Sequence, residues 1–162
     1  MIKSQIAILK RLMKDERSCI IDNGGKEVLV SGALAVITLE SYAKALDVKV
    51  DQKRKGLSVL IDCLAQPCYT SELKTEISVP DLIRFIKESP EIRPIYDFGP
   101  GLPYAQAKLL RDCIALIGEK VSVTVSFNPE NPLKMAMLIY SPDRPQTMCI
   151  LMPVWKGERN EK

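Results

Sequence analysis

Between Val121 and Phe127 every second residue is large and apolar, and every residue between carries a hydroxyl: Val121, Val123, Val125 and Phe127 alternate with Ser122, Thr124 and Ser126. Successive side chains of a strand point to opposite faces, so this period of two over residues 120–128 predicts a β-strand with one dry face and one wet face. Such a strand is not stable alone; it must pair with neighbours and lay its apolar side on another layer. Two apolar runs follow, at 133–140 and 147–155, on either side of the turn-forming Ser141-Pro142-Asp143-Arg144-Pro145. With the turn at 129–132 before them, they predict an antiparallel three-strand meander. The first arm reads as core. The second ends on Leu151-Met152-Pro153-Val154-Trp155, which either seals a core or offers an apolar docking edge, and the residues leave that choice open.

Helical periods supply the second layer. Residues 2–17 place Ile2, Ile6, Leu9 and Met13 on one face, and residues 104–117 do the same with Leu109, Leu110, Cys113, Ile114 and Ile117 before Gly118 closes the helix. A third helix is predicted over 80–88, with Ser78 as cap, Pro80 in the first turn, Asp81 near the positive end and Pro90 as stop. Upstream, 19–22 reads as a short strand, Asn23-Gly24-Gly25 as a tight turn and 26–37 as the returning strand. A short helix is expected at 39–46, followed by alternation at 47–51. A basic turn, Gln52-Lys53-Arg54-Lys55-Gly56, leads into an apolar strand at 57–64, and 69–79 reads as another strand. The stretch 94–103, with Pro94, Pro100, Pro103, Gly99 and Gly101, reads as a loop.

Together these predict one α+β domain over residues 1–156, an antiparallel sheet backed by two or more amphipathic helices, with a charged tail at 157–162. The half 80–156 runs helix, strand, strand, strand. The half 1–79 shows a looser version of the same order, without a residue-level repeat.

Residues suited to catalysis are scarce. The chain has no histidine, the side chain that most often moves protons near neutral pH. It has no Gly-x-x-x-x-Gly-Lys, Gly-x-Gly-x-x-Gly or Gly-x-Ser-x-Gly, and the prolines of Phe98-Gly99-Pro100-Gly101-Leu102-Pro103 remove donors that a phosphate would need. Carboxylates such as Asp15, Glu16, Glu88 and Glu91 fall on polar ground and read as solvated. Five cysteines (Cys19, Cys63, Cys68, Cys113, Cys149) without a Cys-x-x-Cys read as reduced thiols of a cytoplasmic protein, with no metal or cofactor. Lys3, Lys10 and Arg11 interrupt the apolar positions of the N-terminus, so no signal segment is expected there, nor a membrane span elsewhere. The expectation is a protein that is not an enzyme.

A formal net charge of +3 says little about partners; the placement of the charges says more. On a helix over 2–17, Lys3, Lys10, Lys14 and Arg17 share an arc of about 60°, with Arg11 outside it. Lys108 and Arg111 lie three apart on the outer side of the helix at 104–117. Such stripes suit duplex phosphate, contacted without base readout. The competing reading is a solvated face whose lysine stems cover apolar neighbours. With few aromatics, and none among these charges, base stacking on single strands is disfavoured.

Residues 104–156 resemble the closing half-domain of DNA sliding clamps. The run Tyr104-x-x-x-x-Leu109, then Glu119-Lys120-Val121, then Pro132-Leu133-Lys134-Met135 and a final hydrophobic strand is similar to the archaeal and eukaryotic clamp, proliferating cell nuclear antigen. The ending Leu151-Met152-Pro153-Val154 is similar to the bacterial polymerase III β clamp, although Trp155 stands where that family favours a basic residue. The resemblance implies helices lining a positive surface, here 2–17 and 104–117. It also implies a terminal strand (Leu151, Met152, Pro153, Val154, Trp155) bordering a pocket for short peptides of replication or repair proteins. It covers about a third of the chain, and residues 39–103 align with no part of it. Clamp rings hold six such domains and this chain about one, so a ring implies a homo-oligomer. The expectation is a non-catalytic, clamp-like DNA-metabolism protein. The alternative that stays open is a protein–protein adaptor or inhibitor subunit, of viral or mobile-element type, without nucleic-acid binding.

Overall fold

A computed structural model describes residues 2–52, 54, 56–130 and 136–154. Expectations for Lys53 and Lys55, for Pro132, Leu133, Lys134 and Met135, for Trp155 and for the 157–162 tail lie outside the described residues. In chain order the elements are α1 (Lys3–Leu12), β1 (Cys19–Asn23), β2 (Lys26–Val30), β3 (Leu34–Thr38), α2 (Tyr42–Leu46), α3 (Gly56–Tyr69) and β4 (Lys74–Ser78). Then follow α4 (Val79–Glu88), β5 (Ile95–Asp97), β6 (Tyr104–Gln106), α5 (Ala107–Ile117), β7 (Ser122–Phe127), β8 (Met137–Tyr140) and β9 (Thr147–Leu151). The fold class is α+β, as the residue pattern predicts.

Seven strands form one antiparallel sheet in the order β1-β2-β3-β9-β8-β7-β4, and β5 pairs with β6 in a small second sheet. The order is close to a palindrome. The helix–meander α1-β1-β2-β3 mirrors α5-β7-β8-β9, and the two meet where β3 pairs with β9, from Leu34 opposite Leu151 to Thr38 opposite Thr147. The halves expected at 1–79 and 80–156 therefore share one sheet.

One face of the sheet packs against α1, α2, α4 and α5 through Ile20, Leu29, Val36, Val125, Phe127 and Ile139, which meet Leu9, Leu82, Leu110 and Ile114. The opposite face, with Ile21, Val28, Ile37, Leu138 and Ile150, is covered by Ile61, Ala65 and Cys68 of α3. This second layer corrects the strand expected at 57–64. Its apolar run is a helix, and the reason it misleads is that both its sides are apolar: Val59 (64% exposed), Leu60 (52%) and Cys63 face outward. A run without a wet side carries no period, so strand and helix cannot be told apart from it.

Other boundaries shift for local reasons. The strand expected at 26–37 is two strands, folded back at Ser31, whose N–H donates to the Leu34 carbonyl at 2.8 Å. Residues 47–51 form no strand, although the Asp51 N–H reaches the Ile20 carbonyl at 2.7 Å. The expected 94–103 loop contains β5, and residues 104–106 are β6 rather than helix. Proline and glycine hid this hairpin, which is held by a run of edge-to-face rings: Phe85–Tyr96 at 5.6 Å, Tyr96–Phe98 at 5.0 Å and Phe98–Phe127 at 5.2 Å. The helix expected at 80–88 is present as α4, with the Ser78 hydroxyl accepting from the Asp81 N–H.

Candidate nucleic-acid interface

α1 and α5 lie side by side, antiparallel, on the same face of the sheet. Two side chains from α1 fix the pair. Gln5 accepts from the Ile2 N–H at the start of α1 (3.1 Å), and its amide donates to the carbonyls of Ala115 and Leu116 (3.0 and 3.3 Å) in the last turn of α5. One side chain thus joins the start of α1 to the last turn of α5, where backbone groups run short of helical partners. Arg11 donates to the Asp112 carboxylate at 2.6 Å, and Asp112 is only 9% exposed at its side chain against 54% for Arg11. Gly118, at φ 89°, closes α5 in the left-handed conformation that glycine adopts without strain.

The six predicted cationic residues all lie on the α1/α5 side or on the turn after α1, but not in one stripe. Lys3 and Lys10 are exposed, seven residues apart and so nearly in line on the helix. Leu9 faces the core and Arg11 faces α5, which puts Lys10 and Lys3 on the flank of α1 away from α5. α1 ends at Leu12, not at 17. Lys14 and Arg17 therefore belong to the following turns, where the 100° spacing no longer applies. Arg17 pairs with Asp15 at 3.3 Å, and that hydrogen bond holds the Asp15 carboxyl below its ordinary range. Exposed pairs of this kind are worth little and open readily to a competing phosphate.

On α5, Lys108 is exposed and lies one turn before Asp112 on the same side, hence toward the C-terminal end of α1. Arg111 turns the other way. It is half-buried and lines a cleft of about 290 Å³ between α1, α4 and α5, walled by Ile2, Val79, Leu82 and Ile114. Arg111 thus stands apart from the Lys108 side. Arg11, which the helical arc omits, is the cation nearest the middle of the face. Its partner Asp112 lies on α5, 101 residues away in the chain, which no local spacing could disclose.

The predicted docking segment divides. Leu151 is fully buried in β9 as part of the main core, so it is sealed from any partner. Met152 is 38% exposed, while Pro153 and Val154 are half-buried. The chain is tied there on both sides: the Met152 N–H donates to Ala33 (3.0 Å) and the Val154 N–H to Tyr104 of β6 (2.9 Å). The terminal segment clips the small sheet to the large one.

Among the described residues no group of three or more histidine, cysteine, aspartate or glutamate side chains is placed to hold a metal ion. No described helix is long and apolar enough to cross a membrane. No family model matches the chain, and a search of curated proteins returns no match.

Proposed function

We propose that the chain is a non-catalytic, clamp-like protein of DNA metabolism that contacts duplex phosphates through the α1/α5 face. The observation that carries this reading is the antiparallel pairing of α1 and α5 on one side of a palindromic sheet, with Lys3, Lys10, Lys14 and Lys108 exposed there. Two helix–meander halves presenting a helix pair to one side is the arrangement that the resemblance to sliding clamps implies. The layer added by α3 on the other side is a departure from it. Contacts of this type are sequence-blind, because lysines meet phosphate oxygens rather than base edges.

The test is fluorescence anisotropy with two unrelated duplexes of equal length. The reading predicts equal affinities, lowered at least about tenfold by Lys3→Glu, Lys10→Glu and Lys108→Glu together. Strong preference for one duplex, or indifference to the three reversals, contradicts it. Docking of partner peptides, on this reading, rests on Met152, Pro153 and Val154.

A second reading, an adaptor or inhibitor subunit without nucleic-acid binding, is favoured by the outer side of α3, where Val59, Leu60 and Cys63 stand in solvent with Asp62 as the one charge between them. If DNA binding fails and the chain is recovered with a protein partner that protects Cys63, this second reading takes its place.

A further inference from the structure

The two margins of the large sheet are unlike. At β1 the outward carbonyl of Ile20 already accepts from the Asp51 N–H at 2.7 Å, and Arg54 reaches the Arg17 carbonyl beside it at 2.9 Å. At β4 nothing among the described residues pairs with the free side. The ladder with β7 shows which groups are free there. Phe127 donates to Leu73 and Val79 to Val121, so the odd-numbered residues of β4 bond inward. Lys74 and Glu76 accordingly turn their N–H and C=O groups outward, while Ser78, the N-cap of α4, gives its carbonyl to that helix. An open, extended margin of this kind is a template for another strand.

We propose that β4 pairs with β4 of a second copy, antiparallel, with Lys74 facing Glu76 of that copy and Glu76 facing its Lys74. The charges select this register. Only even-numbered residues expose backbone groups, so the strands can slide only in steps that keep these facing one another. Setting Glu76 opposite Glu76 opposes like charges, and so does setting Lys74 opposite Lys74. Sliding further toward α4 brings in Pro80, which has no N–H to give. In the remaining register the two Lys74–Glu76 pairs each exchange both backbone hydrogen bonds and carry opposite charges. Thr75 then lies opposite Thr75, and Leu73 opposite Ile77, whose side chains belong to the main core side of the sheet. Neither Lys74 nor Glu76 has an ion-pair partner among the described residues, so both charges are available to a second copy.

The symmetry has a consequence. Antiparallel pairing about Thr75 is related by a two-fold axis perpendicular to the sheet, so the α1/α5 faces of both copies look to the same side. The contact is closed and isologous: it makes a dimer. The pairing itself does not depend on nucleic-acid binding.

Light scattering over a concentration series tests it, with Lys74→Glu, Glu76→Lys and the double reversal, each checked for wild-type circular dichroism. The expected result is a dimer at high concentration. Each single reversal should raise its dissociation constant about tenfold, and the double reversal should restore it. A monomer at every concentration overturns the proposal. So does a dimer indifferent to the single reversals, or one that the double reversal fails to rescue.

Discussion

Arg11 reaches across from α1 to Asp112 at 2.6 Å, and the carboxylate it meets is nearly closed to water. Removing the guanidinium leaves a buried anion without its partner, a loss worth more than the pair itself contributes. Arg11→Ala should therefore lower unfolding free energy by about 1–3 kcal/mol. Urea denaturation measures it, and Asp112→Asn added to that variant should recover part of the loss. Tyr42 makes a second case. It is buried beside Thr38 and Thr147, and burial pushes its pKa from 10.0 up to about 12. Burial pushes the Cys113 thiol up in the same direction. Both groups have folded pKa values above their unfolded ones, so their contribution is complete below the unfolded values and is lost as pH rises through the folded ones. Stability should hold through neutral pH and fall above about pH 9–10, with Tyr42 contributing on the order of 3 kcal/mol to the fall. Tyr42→Phe should flatten the upper part of that curve. A loss of stability confined to acid pH would contradict this account.

Among the elements, α3 decides the architecture, since among the described residues it is the helix that closes the second face of the sheet. Ile61→Ala should cost about 2–4 kcal/mol and Leu60→Ala, one residue away on the solvent side, less than about 1 kcal/mol. Cys63 is the exposed cysteine of the five, so a thiol reagent should modify one site quickly in the native protein and the rest only on unfolding. How far the sequence discloses each element follows from its wetting. β7 has polar Ser122, Thr124 and Ser126 behind its apolar face, and its period of two is plain. β3 is buried on both faces, and α3 is apolar on both, so neither shows a period. The β5–β6 hairpin is held by aromatic rings from distant segments, which no local pattern can announce. In the candidate interface the charge types are legible from the sequence. The end of α1 at Leu12 and the Arg11–Asp112 tie are tertiary facts.

At the scale of the whole molecule, the palindromic strand order gives the chain two sides with different chemistry. One presents α1, α4 and α5, and the other presents the apolar back of α3. Cations on the first side are spread over two helices and a turn rather than drawn into a single line, which suits a duplex backbone more than a compact anion. Pairing through β4 would set two such faces side by side without changing either. The measurement that bears most directly on this account is the salt dependence of duplex DNA affinity. If Lys3, Lys10, Lys14 and Lys108 each displace a counterion, log affinity should fall against log salt with a slope of about −3 to −4, and reversing Lys10 should remove about one unit of slope. A flat salt dependence, or a slope that Lys10→Glu leaves unchanged, would contradict the proposal that the α1/α5 face binds duplex DNA.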